Sequence, residues 1–349
     1  VWDEETNGMR VLVLGGTGLI GRAVVDRLLV ENHDVVLFDM RDASPLFGGG
    51  LELILGDRSN REAFKAGMQK ESFDAVIDLI CFNEKDARST VDTFRGSTGQ
   101  MIICSSAAVY RRPFKTVPTI EEAEDLFDNP EFGYAFHKAK MERYLHRTIQ
   151  EENLPITIIR PSLTFGPGSA NFGVLRQNYG VVDRIRKDKP LIMFGDGRIL
   201  YSMTFSPDVA KAFSGVLGNE KTYGQAYHVS SEERHLFEDL YWELGKILGK
   251  EPQIVHVPSE LLYKADPDLF GHVFFEKSYG GLYDNTKLRT VVAQFRAGIS
   301  LNEGLQGLLE WFEKELRTVD PEKDALEERL VSIHNHWAER MSPQALKGS

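Results

Sequence analysis

The sequence predicts a doubly wound α/β fold: a parallel sheet with helices on both faces, followed by a smaller α/β lobe. Three observations carry that expectation. Continuous β-branched runs alternate with amphipathic stretches through the first 160 residues, the pattern of strands buried on both faces and joined by crossover helices. The first run stops in glycines and passes straight into a helix-like stretch. After Arg160 the alternation loosens, and Gly, Pro and aromatic residues become more frequent.

The strand-like runs are, in order, Arg10–Leu14, Val35–Asp39, Leu51–Leu55, Ala75–Ile80, Met101–Cys104 and Ile156–Ile159. Between them lie the amphipathic stretches Ile20–Val30, Arg61–Gln69, Glu84–Arg95 and Phe132–Gln150. Such a sheet takes its ligands beyond the carboxyl ends of its strands, so residues just past each run are the candidates for a site. The expected division is a core at 9–165, to which about 200–230 returns, a second lobe at 166–318 and a charged appendage at 319–349. Leu301–Leu316 reads as a helix with Ser300 as N-cap and Glu303 three residues on. The basic run Arg184, Arg186, Lys187 and Lys189 reads as a solvated helix end.

Composition narrows the function. The 349 residues are 42% hydrophobic, enough for a sizeable core. Acidic residues outnumber basic ones 52 to 41, a net charge of −11, so a polyanion such as RNA is repelled on average and nucleic acid is not the expected partner. Two cysteines, Cys81 and Cys104, make no disulfide framework and suit a reducing compartment. No stretch reaches the roughly 18 apolar residues that span a bilayer. Val1–Gly8 is polar and acidic, unlike a targeting peptide, and the expected location is the cytoplasm. The nine histidines show no metal-ligand spacing, so no metal is expected.

The segment Val11–Gly21 joins its strand to its helix through Gly15, Thr17, Gly18, Leu19, Ile20 and Gly21. One glycine permits the turn, one lets a pyrophosphate approach the backbone, and one permits close helix–strand packing. The helix N-terminus then offers unpaired N–H groups to phosphate. A dinucleotide cofactor is expected here. Asp39, ending the second strand, can accept from the adenosine ribose hydroxyls and would repel a 2′-phosphate, which favours NAD over NADP; Arg41 leaves NADP open. Asp57, followed by Arg58, is placed either to reach the adenine or to cap the next helix. Leu79, on the fourth strand, is expected beside the cofactor.

Tyr134 and Lys138 are four apart on one helical face. An ammonium beside a phenol favours the phenolate, and such a Tyr can exchange a proton with a substrate hydroxyl while a hydride moves to or from nicotinamide. The strand Met101–Cys104 ends in Ser105 and Ser106, and Ser106 could donate to the reacting oxygen.

From Met9 to about Leu316 the chain resembles the extended short-chain dehydrogenases/reductases of the NAD-dependent epimerase/dehydratase family. Besides the glycine loop, the Ser105–Tyr110 strand end and the Tyr134/Lys138 pair, Ile159–Gly168, Phe194–Gly197 with Ser206–Ala210, and Tyr283–Lys287 agree in order and spacing. The resemblance implies Tyr134 as acid/base, Lys138 as its tuner and ribose ligand, Ser106 as the catalytic hydroxyl, and Arg160–Pro161–Ser162 against the nicotinamide carboxamide. It implies a sugar-like substrate in the second lobe, near Ser105, Ser106 and Tyr134. It also implies a homodimer built on Glu84–Arg95 and Phe132–Gln150.

Four departures qualify the resemblance. Sugar-nucleotide 4,6-dehydratases carry Asp-Glu where this chain has Ala107 and Ala108, so that dehydration is not expected. Nucleotide-sugar epimerases carry a diphosphate-binding Arg at the position of Tyr201; Arg198, three residues away, is the nearest substitute. Cys81–Phe82–Asn83 is bulkier than the usual alanines, and Arg111 and Arg112 replace a glycine. Cys81–Phe82–Asn83, the missing Arg and Tyr227–Ser230 also resemble the branch related to chloroplast stem-loop RNA-binding proteins. The expected function is NAD-dependent epimerisation or dehydrogenation of a secondary alcohol in a sugar or sugar nucleotide. The alternative is a non-catalytic nucleotide- or RNA-binding scaffold on the same fold.

Overall fold

A computed structural model describes residues 8–48, 51–169 and 171–341. The chain forms two compact units. The first takes the chain up to Thr164 with Ser202–Glu232 and Leu282–Ile299; the second takes Phe165–Tyr201, Glu233–Gly281 and the chain from Ser300. Leu282–Ile299, inside the span assigned from sequence to the second lobe, therefore belongs to the first unit.

The first unit is built on a seven-stranded parallel sheet. Its strands are β1 (Arg10–Leu14), β2 (Asp34–Asp39), β3 (Glu52–Leu55), β4 (Ala75–Asp78), β5 (Gln100–Cys104), β6 (Ile156–Pro161) and Ala226–Val229. Across the sheet the order is β3, β2, β1, β4, β5, β6 and Ala226–Val229. The order reverses between β1 and β4, which opens a crevice beyond their carboxyl ends.

The strands alternate their side chains between two cores. Val11, Val13, Val35, Leu37, Ile77 and Ile102 pack on one face. Leu12, Leu14, Val36, Phe38, Val76 and Ile103 pack on the other. Both faces are apolar, which is why the runs read as continuous; each such side chain, once buried, stabilises the fold by about 1.5–3 kcal/mol. Helix α1 (Leu19–Val30) follows β1, and α2 (Arg61–Met68) follows β3. Helix α3 (Glu84–Phe94) follows β4 and packs on α4 (Gly133–Glu152), which ends at Asn153 in the left-handed conformation, φ 51°. The outward positions of α3 and α4 include Lys85, Arg88, Asp92, Lys140 and Arg147.

β4 ends two residues before the apolar run does, because the Asp78 carboxylate accepts the Ile80 N–H at 3.1 Å and turns the chain.

In the second unit the strands Leu191–Phe194 and Ile254–Val257 pair in parallel. Ser300 and Glu303 close a reciprocal capping box on the helix Leu301–Lys314. The basic run is a solvated end only in part: Arg186 and Lys187 are exposed, but Arg184 is not. Arg184 is fully buried and meets Asp324 at 2.5 Å, Glu327 at 3.5 Å and Glu328 at 3.2 Å. Three carboxylates of the helix Pro321–Arg340 thus dock on one guanidinium, so this charged tail is in part built into the second unit. No helix among the described residues is long and apolar enough to cross a membrane.

Candidate active site

The glycine turn leaves β1 at Gly15, whose φ of +83° suits a residue without Cβ. A Cβ there would come within 2.3 Å of the Ile80 side chain, and one on Gly21 within 2.4 Å of the Gly15 carbonyl. At Gly18, by contrast, a Cβ would meet nothing nearer than 3.9 Å. Gly18 is also the N-cap of α1, with no side-chain cap, so the first N–H groups of the helix face an open side, at Leu19, Ile20 and Gly21. Tight packing behind and open space in front fit a pyrophosphate.

At the end of β2, Asp39 is nearly buried; it accepts the Thr17 hydroxyl at 2.8 Å and the Met40 and Arg41 N–H groups. Thr17 and Asp39 thereby tie the glycine turn to the second strand, and Arg41 is exposed. Asp57 is neither a helix cap nor bound deeper in the fold: it accepts the Ser59 N–H and hydroxyl, both at 2.7 Å, which lowers its pKa, and Asn60 caps α2. Arg58, next along the chain, is buried. Its guanidinium turns into the fold, donating twice to Asp78 (2.7 and 2.9 Å), to Thr90 and to the Asp86 carbonyl. A buried cation is held by the nearest buried carboxylate, and Asp78 supplies it. Leu79 is nearly buried and donates its N–H to Leu14, bridging β4 to β1.

The serine, tyrosine and lysine come from β5 and α4, and α4 packs on the short turn Ala107–Val109. Ser106 accepts the Ala108 N–H at 3.1 Å, leaving its hydroxyl hydrogen to donate elsewhere. Ser105 is buried, and its hydroxyl has no partner among the described residues. Tyr134 is 46% exposed. Lys138, one turn on, is 1% exposed and donates to the Cys81 carbonyl at 2.8 Å and the Cys104 carbonyl at 2.7 Å. Its ammonium is therefore fixed where β4 and β5 end, over the Phe82 ring. Cys81–Phe82–Asn83 thus supplies a carbonyl, a ring and the N-cap of α3.

Behind this end of the sheet lies a buried polar network that sequence reasoning missed. Arg160 donates to Glu142 at 3.0 and 3.1 Å and to the Tyr110 hydroxyl at 2.7 Å. Tyr110 in turn hydrogen-bonds the His228 ring, and the His228 backbone N–H donates to Glu121 at 2.8 Å. Burial opposes ionisation of Glu142, yet the Arg160 guanidinium and His146 hold it well below the usual carboxylate range. Burial, with the Arg160 charge adding to it, lowers His228 to about 3. One signal could have revealed the network: Glu142 lies four residues beyond Lys138 on the buried stripe of α4, where an unpaired acid is not tolerated. Beside it, Pro161 is buried, and the Ser162 hydroxyl pairs with Thr204 at 2.7 Å.

The substrate candidates of the second unit fare differently. Arg198 is exposed, in a turn closed by Asp196. Tyr201 is fully buried, with its ring 5.4 Å from that of Phe237 and its hydroxyl 3.3 Å from Glu276. The resemblance set Tyr201 at the position of a diphosphate-binding Arg, and position along the chain cannot anticipate a ring packed into a core. In the first unit, Arg111 pairs with Asp128. Arg112 folds back onto the Ala107 and Tyr110 carbonyls and the Tyr283 hydroxyl. Among the described residues no cluster of His, Cys, Asp or Glu could hold a metal ion.

The sheet order and glycine turn define a nucleotide-binding α/β protein of the Rossmann class. The family model of the NAD-dependent epimerase/dehydratase family matches residues 11–230, more than half the chain, and the chain belongs to that family. NAD is the cofactor of the family. The chain is 29% identical over 262 residues to the chloroplast stem-loop binding protein of 41 kDa b from Arabidopsis thaliana, covering 71% of this chain. That match takes in 65% of the plant protein, just under two thirds of its length. It is 25% identical over 256 residues to 2'-dehydrokanamycin reductase from Streptomyces kanamyceticus, covering 73% of this chain and 71% of that one. Among solved structures, the epimerase of Methanothermobacter thermautotrophicus matches with a TM-score of 0.73 at 18% identity, over 88% of this chain and 93% of that one.

Proposed function

We propose that this chain is an NAD-dependent epimerase or dehydrogenase acting on a secondary alcohol of a sugar or sugar nucleotide. The observation that carries the reading is the pairing of a half-exposed phenol, Tyr134, with a buried ammonium, Lys138, held by two backbone carbonyls at the strand ends. When bound, NAD supplies the hydride acceptor and donor. Gly15, Gly18, Gly21 and the first N–H groups of α1 hold its pyrophosphate, and Asp39 its adenosine ribose. Ser106, with a free hydroxyl hydrogen, orients the reacting oxygen, and Tyr134 takes and returns its proton. Lys138, whose position is fixed, favours the phenolate. Leu79, Pro161 and the Ser162 backbone would line the nicotinamide side, the Ser162 hydroxyl being taken up by Thr204.

Ala107 and Ala108 carry methyl groups that transfer no proton, so the reading excludes 4,6-dehydration. The protein works in the cytoplasm. A homodimer on α3 and α4 would be held by polar contacts, since their outward faces lack the apolar centre of an obligate interface.

The test is mass spectrometry of small molecules that co-purify with the protein, followed by turnover assays on sugars and sugar nucleotides with NAD. The expected result is a bound dinucleotide and interconversion or oxidation of one substrate class. A second reading, RNA binding, is favoured by the stem-loop binding relative and opposed by the net charge of −11. Salt-dependent retention of structured RNA, with no turnover of any alcohol, would replace the first reading by the second.

A further inference from the structure

We propose that Arg112 is a positioning residue: it clamps the turn that carries Ser106 and so fixes where the Ser106 hydroxyl points. The role rests on the function proposed above, in which Ser106 orients the reacting oxygen. Arg112 belongs to the Arg111–Arg112 pair that stands where similar chains carry a glycine, so the clamp is a feature of this chain.

The turn starts where β5 ends. Ser106 is extended and caps the short turn Ala107–Val109. Its hydroxyl accepts the Ala108 N–H at 3.1 Å, and its carbonyl accepts the Val109 N–H at 3.2 Å. The hydroxyl therefore points wherever the turn sets the Ala108 amide. A single tight turn has few hydrogen bonds of its own, and its remaining carbonyls need partners from elsewhere. The Val109 carbonyl accepts the Phe127 N–H at 2.7 Å. Ala107 accepts from Arg112 Nη2 and Tyr110 from Arg112 Nη1, each at 3.2 Å. One guanidinium thus bridges the two ends of the turn.

The clamp is itself held in place. Nη2 also donates to the Tyr283 hydroxyl at 2.9 Å, and the guanidinium lies 3.8 Å from the centroid of the Phe114 ring. Phe114 meets Tyr110 and Tyr283 edge-on, at 6.2 and 5.7 Å. Tyr283 is pinned on both sides, because Thr119 donates its N–H to Leu282 and accepts that of Asp284, both at 2.9 Å. Both hydrogens of Nη2 and one of Nη1 are thereby spent on protein oxygens, so this guanidinium is committed to the turn and not to an anionic substrate. A planar fork stacked on a ring is also something the ammonium of a lysine cannot copy.

Steady-state kinetics and amide hydrogen exchange of Arg112→Met in the full chain test the clamp. The expected kcat is roughly 10- to 100-fold lower, the result of a misplaced catalytic group, with KM and NAD affinity within about twofold of the parent. Arg112→Lys keeps the charge without the fork and is expected to fall with it; should Arg112→Met not fold, the Lys variant carries the same test. In a Ser106→Ala background, Arg112→Met should change kcat by less than about twofold, because the two residues act as a unit. Arg111→Met, which breaks an exposed pair with Asp128, should match the parent. Exchange at Ser106–Tyr110 should be about 10-fold faster in Arg112→Met, while β5 keeps its protection. Unchanged kcat, a loss that multiplies with that of Ser106→Ala, activity kept by the Lys variant alone, or unchanged exchange in the turn would each overturn the proposal. A parent that turns over no alcohol sinks the proposed function instead, and exchange in the turn then decides the clamp by itself.

Discussion

Tyr134→Phe is expected to lower turnover by about 10²–10⁴-fold, the contribution of a positioned acid/base, while NAD affinity stays within about twofold. The phenol is half exposed, and its hydroxyl makes no hydrogen bond among the described residues. Removing it should therefore change stability by no more than about 0.5 kcal/mol, as at other surface positions. Lys138→Met is a poorer probe of chemistry. It strands the Cys81 and Cys104 carbonyls in a buried place, at about 1–3 kcal/mol for each unsatisfied group, so a loss of activity would be mixed with a loss of fold. Steady-state kinetics with a fluorescence titration of NAD decides the matter. Unchanged turnover in the Phe variant would remove Tyr134 from the mechanism.

Arg160→Leu is expected to destabilise the protein by about 3–5 kcal/mol, the usual result of removing one partner of a buried ion pair. Glu142 is fully buried and would lose the guanidinium that holds its charge. The double replacement Arg160→Leu with Glu142→Leu should recover much of the loss, because the uncompensated charge goes with it. Urea unfolding of the three variants measures both effects; a single variant as stable as the parent would show the pair to be dispensable.

The same network sets an acid limit. Glu142 has a folded-state pKa below its ordinary value, so its stabilisation is present above that ordinary value and is lost as the pH falls through it toward the folded one. His228 moves the balance the same way. Its folded pKa is about 3 against an ordinary 6.5, so between those values the unfolded chain takes up a proton that the folded one refuses. Stability falls as pH drops through that window. The urea midpoint should therefore be lower at pH 4 than at pH 7.

The readable part of this protein is its local chemistry. The glycine turn is legible because strand, turn and helix follow one another within Val11–Gly21. Tyr134 and Lys138 are legible because a helix brings residues four apart onto one face. The partner of Arg58 is not legible in this way, because Asp78 lies 20 residues on, at the end of β4.

What sequence determined by itself is the covered parallel sheet, the glycine turn and the placing of Tyr134 and Lys138 on one helical face, since each depends on spacing along one strand or helix. Tertiary structure alone decided which polar groups are satisfied. Tyr110 finds His228 across 118 residues, and Arg184 finds Asp324 across 140. It also decided that Tyr201 is core. The reason is that burying a charge or a donor is costly until a partner arrives, and the partner's place along the chain is set by packing rather than by any period in the sequence.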